Sequence, residues 1–65
     1  MGKAINGKFQ SMEQARNTRG DLIGSDIPQD LIYIDEQEQT IRVMLPPGEA
    51  REVYEIFERH GITHE

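Results

Sequence analysis

A strand that leads directly into a helix, in the second half of the chain, limits the possible folds more than any other feature. Isoleucine, valine and leucine occupy every second position of residues 40–45, the two-residue period of a strand with one buried face. Pro46 and Pro47 cannot continue a sheet ladder, so we expect the strand to end before them. Residues 49–60 then carry apolar side chains at helical spacing until Gly61, which predicts a helix packed back on the strand.

The size of the chain allows one domain, spanning residues 1–65. A domain this small buries only about 60% of the surface that its unfolded chain exposes, so its core must be small. The chain has no cysteine, which excludes disulfides and thiolate zinc sites as a source of stability. Good packing or self-association must supply that stability, and we therefore expect an oligomer.

The charge balance is acidic, with 7 lysines and arginines against 12 aspartates and glutamates, for a net charge of −5. The basic residues are scattered from Lys3 to Arg59 rather than clustered, so neither nucleic acid nor an anionic membrane is an expected partner. No apolar run approaches the ~18 residues of a membrane helix, and the N-terminus lacks the apolar core of a secretory signal. We therefore expect a cytoplasmic protein.

The N-terminal segment predicts a short strand over residues 4–9, with Ile5, Gly7 and Phe9 on one face. A glycine weakens an isolated strand, and the usual reason to tolerate one is that another element packs very close to the backbone. We therefore expect a helix to cross over Gly7.

The segment from Ser11 to Gln14 has the form of a capping box, in which the serine hydroxyl accepts from the Gln14 backbone N–H and the Gln14 side chain reaches back. We therefore expect a helix to start at Ser11 and to fray near Gly24. Its predicted buried stripe consists of Met12, Ala15, Leu22 and Ile23.

Residues 31–34 are apolar on both faces, and the polar residues 35–39 connect them to the 40–45 strand as an antiparallel hairpin. The element order is then β-α-β-β-α, with an optional short last strand at residues 62–65 that would pair beside the first. This order predicts an α+β ferredoxin-like plait with an antiparallel sheet and both helices on one face. Since two helices cover only one face, one pair of side chains in the 31–34 strand must look outward.

Several segments that form the strands, helices and turns of the predicted fold together match one known sequence pattern. They are residues 7–9, 13–17, 21–22, 27–33, 40–43, 49–51 and 59–61. In these segments the chain resembles bacterial proteins of the heat-induced general stress protein family, as a short member without their glycine-rich insert. The resemblance implies a plait fold and a role connected with stress response, and it implies no known reaction. The chain differs from the family at Asp26, where glycine is expected.

The two histidines, His60 and His64, are four residues apart, a spacing that binds metal on a continuous helix. Gly61 is expected to break the helix between them, and no third ligand is indicated. We expect His60 to lie in the last helical turn, where a cation favours the negative helix end, and His64 to be a solvated terminus.

Two other kinds of chemistry are also disfavoured. The carboxylates Asp35, Glu36 and Glu38 lie in an exposed hairpin, which offers no burial that could make one an acid and another a base. Tyr33 and Phe9 on neighbouring strands suggest the stacking aromatics of RNA-binding plaits, but too few basic residues surround them. A solvated turn and core packing are the favoured interpretations.

The outward face of the sheet is the predicted site of function. With Leu31 and Tyr33 turned toward the helices, an apolar strip flanked by two cations remains exposed on the opposite face. Such a strip suits the interface of a symmetric homodimer, and the alternative is a monomer whose sheet face stays exposed. The predicted interface residues are Ile32, Ile34, Met44, Arg42 and Lys8.

The expected function is that of a small non-enzymatic module that acts through protein–protein contacts, as a homodimer and with an unknown protein partner. We expect no catalytic residue, no metal and no cofactor. The alternative is a small-molecule sensor domain with its ligand at a dimer boundary. The polar residues available to bind that ligand are Asn6, Lys8, Thr40 and Arg42.

Overall fold

The computed structural model describes residues 4–45, 48 and 50–64 and has an α+β fold with a four-stranded antiparallel sheet and two helices. A 3-10 turn, Gln29–Leu31, precedes the second strand. The strands are β1 (Ile5–Lys8), β2 (Ile32–Asp35), β3 (Thr40–Val43) and β4 (Thr63–His64), and the helices are α1 (Met12–Gly24) and α2 (Arg51–Arg59).

The strands lie in the order β2-β3-β1-β4, and every neighbouring pair is antiparallel. The last strand pairs beside the first, with Gly7 opposite His64 and Lys8 opposite Thr63, which confirms the prediction for this strand. It covers two residues, and Glu65 lies outside the described residues.

One face of the sheet carries the core, and α1 and α2 contact each other over it. Ile5, Ile41 and Val43 contribute the sheet side of this core and are almost completely buried. The other buried apolar residues are Phe9, Ala15, Leu22, Ile27, Ile32, Ala50, Val53, Ile56, Phe57 and Ile62.

The predicted start of α1 is confirmed, with Ser11 as N-cap and its Oγ accepting from the Gln14 N–H at 3.2 Å. The Gln14 side chain also reaches back, but its Oε1 accepts from the backbone N–H of Gln10 at 2.7 Å. Thr18 is buried in the stripe because its hydroxyl donates to the Gln14 carbonyl at 2.8 Å. Ile23 is 38% exposed, so its predicted burial is wrong.

Both helices end in the same backbone motif. After α1, the N–H of Ile27 donates to Leu22 and that of Asp26 to Ile23, and α2 repeats the pattern at Ile62 and Gly61. The motif requires one residue in the left-handed backbone conformation. This residue is Asp26 after α1, with φ 70°, and Gly61 after α2, with φ 74°. The predicted helix break at Gly61 is confirmed.

The close approach predicted at Gly7 is also confirmed. A Cβ added there would lie 2.8 Å from Cε2 of Phe57 in α2 and would also overlap Cγ2 of Ile62. Because glycine has no side chain, Phe57 of α2 packs directly against the backbone of β1 at this position.

The assignment of the two faces of β2 was wrong. Ile32 is only 7% exposed and Ile34 packs against the core, whereas Tyr33 is 56% exposed. The register explains the reversal, because Ile32 pairs with Val43 and Ile34 with Ile41, and paired residues share a face.

The second half of the chain is otherwise close to expectation. β3 ends at Val43, two residues earlier than predicted, and Leu45 is partly buried against the core. The prolines proposed to end this strand, together with Glu49, lie outside the described residues. Helix α2 follows Ala50 as its N-cap.

Candidate functional site

The exposed face of the sheet presents two rows of side chains that run across the strands. In the first row Tyr33, Arg42 and Asn6 lie directly opposite one another on β2, β3 and β1. The second row consists of Asp35, Thr40, Lys8 and Thr63 on β2, β3, β1 and β4. These residues share a face because side chains alternate along each strand.

Arg42 is held in place by its cross-strand neighbour. Its Nε donates to Oδ1 of Asn6 at 2.9 Å, and within the part of the chain that the structure describes neither Nη atom has a hydrogen-bond partner. Lys8 makes a weaker contact, from Nζ to the Glu38 carbonyl oxygen at 3.4 Å. The face therefore has one oriented guanidinium and one loosely held ammonium group.

The described residues of this face form shallow depressions, and Arg42 and Thr40 line two of them. The larger, of about 450 Å³, extends over Tyr33 and the β2–β3 turn. The smaller, of about 290 Å³, is lined by Asn6, Gly7, Lys8, Thr40, Arg42 and Thr63.

The predicted interface residues are only partly brought together. Lys8 and Arg42 lie exposed on the outward face, but Ile32 belongs to the core and Ile34 packs against it. Met44 is half-buried and donates its N–H to the Leu31 carbonyl at 2.8 Å, which extends the β2–β3 ladder by one pair. The predicted apolar strip of Ile32, Ile34 and Met44 is therefore not formed.

Tyr33 is the residue of this face that sequence reasoning assigned to the core. The strict alternation of β3 was the available signal, because it fixes which residues of a paired strand share the buried face. Applying that signal to β2 requires the register of β2 against β3, and the apolar run 31–34 does not reveal this register.

One carboxylate of the β2–β3 turn, that of Asp35, stabilises the turn itself. Asp35 accepts through Oδ1 from the N–H groups of Gln37 and Glu38, at 3.0 and 3.1 Å. Such a side-chain to backbone bond is the usual way in which aspartate stabilises a turn. The connector 35–39 forms the predicted antiparallel hairpin, and Gln39 takes φ 56° at its end.

A second polar cluster joins the two helices. Oδ2 of Asp21 in α1 lies 2.9 Å from Nη1 of Arg59 and 2.9 Å from Nε2 of His60. The hydrogen bond with His60 lowers the pKa of Asp21 below its ordinary value, and the bond and charge of Arg59 add to this, against the opposing effect of desolvation. The Asp21 side chain is 29% exposed, so water screens the cluster, which is suited to hold α1 against α2.

His64 is not the solvated terminus that was predicted. Its ring packs against Tyr54, with the ring centroids 4.7 Å apart and the planes tilted by 49°, and lies near Phe57. Its side chain is 27% exposed. Its Nε2 lies 3.6 Å from Oε2 of Glu58. Among the residues that the structure describes, no three metal-binding side chains converge around either histidine or elsewhere.

Across the described ranges, neither helix combines the length and apolar character that crossing a membrane requires. Comparison with known proteins finds no matching family model and no significant match among curated proteins or solved structures. The resemblance to the stress protein family therefore stays a prediction.

Proposed function

We propose that the protein is a small non-enzymatic cytoplasmic module that acts through protein–protein contacts made by the exposed face of its sheet. The observation that carries this proposal is the pairing of Tyr33 and Arg42, which lie directly opposite each other on β2 and β3 and are both exposed. Tyrosine and arginine are the residue types, with tryptophan, that most often dominate the energy of protein interfaces. Arg42 is oriented by Asn6, which reduces the entropy lost on binding.

A second copy of the chain is the partner that we propose for this face. If two copies pack face to face about a two-fold axis in the plane of the interface, the acidic β2–β3 turn of one copy would lie over the cations of the other. The turn carries Glu36 and Glu38, and the cations are Lys8 and Arg42. Self-association would also support a domain near the lower limit of independent stability. By sequence resemblance alone, we propose that the role of the module is related to stress.

The fold that we propose for this module is the ferredoxin-like plait. The strand order supports it, because β3 lies between β1 and β2, and β1 lies between β3 and β4. Each helix then connects two parallel strands across an intervening antiparallel one, as in two interlocked βαβ units.

Molar mass in solution tests the homodimer. Light scattering over a range of concentrations should give a mass near twice the 7.5 kDa of one chain. Arg42→Glu should give a folded monomer. Arg16→Glu makes the same charge change at an exposed position of α1 and should remain a dimer. A mass of one chain at every concentration, or equal loss of the dimer in both variants, would contradict the proposed interface.

The smaller depression favours a second candidate function, a small-molecule sensor with its ligand at the dimer boundary. All four polar residues identified from the sequence for this purpose, Asn6, Lys8, Thr40 and Arg42, line that depression. A bound metabolite that co-purifies with the native protein, and is lost in Arg42→Gln, would support this candidate. Purified protein that carries and binds no small molecule would contradict it.

A further inference from the structure

The smaller depression concentrates positive charge in an acidic protein. Asn6 pairs with Arg42 and Lys8 with Thr40, so Lys8 and Arg42 are diagonal neighbours on adjacent strands. Diagonal neighbours lie about 7–8 Å apart, within reach of two long side chains that converge on one group. Among the described residues, no carboxylate lies within 4 Å of either cation, although the net charge of the chain is −5.

The hydrogen bond from Arg42 to Asn6 also sets the direction of the guanidinium group. Because Nε is occupied by Oδ1 of Asn6, the two Nη atoms form the open edge of the group. Two parallel N–H donors at this spacing match the two oxygens of a carboxylate or phosphate. Thr40 and Thr63 line the same depression, and threonine hydroxyls can donate further hydrogen bonds.

We infer that this depression, lined by Asn6, Gly7, Lys8, Thr40, Arg42 and Thr63, binds the phosphate or carboxylate group of a small molecule. Arg42 contacts the oxyanion through both Nη atoms, and Lys8 balances its remaining charge. The volume of about 290 Å³ suits one such group with a short substituent. This inference rests on the second candidate function and names the chemical class of its ligand.

Titration of the full chain, followed by amide chemical shifts in two-dimensional NMR, tests the site. The probes are inorganic phosphate and succinate, added separately at constant ionic strength against chloride. The inference predicts saturable shifts at residues 6–8, 40–42 and 63, with little response to chloride. Saturation by phosphate alone assigns a phosphate group to the ligand, and saturation by succinate alone assigns a carboxylate.

Three variants make the test specific. Arg42→Gln should weaken binding at least tenfold, because it removes a charged bidentate donor. Arg42→Lys should also weaken binding, because a lysine keeps the charge but loses the paired donors. Arg16→Gln removes an equal charge from an exposed position of α1 and should leave the affinity unchanged.

The inference is overturned if chloride produces the same shifts, if neither probe saturates, or if all three variants bind equally. Molar mass measured in the same samples separates this inference from the sensor function. Saturable binding that depends on Arg42, without a dimer at any probe concentration, supports the oxyanion site and rejects only its placement at a subunit boundary.

Discussion

The side chain of Gln14 joins the start of α1 to the end of α2, with its Nε2 donating to the His60 carbonyl oxygen at 2.7 Å. Its Oε1 accepts from the Gln10 N–H at 2.7 Å, so one amide satisfies backbone groups at two helix ends. A residue required by the capping box therefore also fixes how the two helices lie against each other.

Replacing Gln14 with methionine should destabilise the domain by about 1–3 kcal/mol, since two hydrogen bonds are lost at about 0.5–1.5 kcal/mol each. Urea denaturation measures this loss. Ser11→Ala is the matched control, because it removes only the N-cap acceptor and should cost about 1 kcal/mol. A Gln14→Met variant as stable as the wild type would show that water replaces both bonds.

The cluster of Asp21, Arg59 and His60 predicts a dependence of stability on acid pH. The folded state lowers the pKa of Asp21, so the cluster stabilises the fold above the ordinary aspartate pKa of about 3.9. That contribution is lost as pH falls through the lower, folded-state value.

Asp21→Asn tests this dependence in denaturation midpoints between about pH 5 and about pH 2. The wild type should be more stable than the variant at the upper end, and the difference should shrink toward the lower end. A difference that stays constant over this range would show that Asp21 contributes by packing rather than by charge.

Asp26 occupies a position that suits glycine better. It holds φ 70° at the end of α1, where glycine avoids the steric cost of the left-handed region, and its negative charge lies at the negative end of the helix. Asp26→Gly should therefore stabilise the domain by about 1 kcal/mol, measured as a raised urea midpoint.

Asp26→Asn separates the two causes, because asparagine removes the charge and still tolerates the left-handed conformation. It should yield only the electrostatic part, about 0.3–1 kcal/mol. A loss of stability in Asp26→Gly would show that the Asp26 side chain makes a favourable contact that outweighs both effects.

Gly7 lies where the fold has no room for an added methyl group. Gly7→Ala should destabilise the domain by about 1–3 kcal/mol, because the new Cβ would overlap Phe57 and Ile62 and force them to move. Gly20→Ala is the matched control: among the described residues, no atom outside the adjoining backbone of α1 and the two neighbouring residues lies within 4 Å of its added Cβ. The change should stabilise α1 by about 0.8–1 kcal/mol. Equal melting temperatures for the two variants would contradict the close packing of α2 on β1.

Local signals in the sequence were sufficient for much of this fold. The close approach at Gly7 involves the distant residues Phe57 and Ile62, but its signal, a glycine inside a strand, is local. The Ser11–Gln14 cap and the break at Gly61 reflect constraints within a few residues, and all three features were predicted correctly. The alternation of β3 identified its buried face for the same reason. The last strand followed from topology, because a short strand after α2 has its place beside β1.

The missing parts depend on contacts between distant segments. The apolar run 31–34 has no alternation, so only its pairing with β3 determines that Tyr33 is outward. Thr18 is a separate case, because a hydrogen bond within α1 satisfies its buried hydroxyl and hydropathy does not reveal such a bond. On the exposed face, the outward placement of Lys8 and Arg42 follows the strand parity read from the sequence, whereas Tyr33 was assigned to the core.

The corrected faces of β2 lead to a direct test on two adjacent residues. Ile32→Glu should unfold the domain, because it loses about 1.5–3 kcal/mol of apolar burial and places a carboxylate in the core. Tyr33→Glu should stay folded, since the introduced carboxylate faces solvent beside Arg42. Circular dichroism melts distinguish the two, and light scattering on Tyr33→Glu reports whether the exposed face holds the dimer. A folded Ile32→Glu beside an unfolded Tyr33→Glu would reverse the assignment of the faces and move the proposed interface back to the isoleucines.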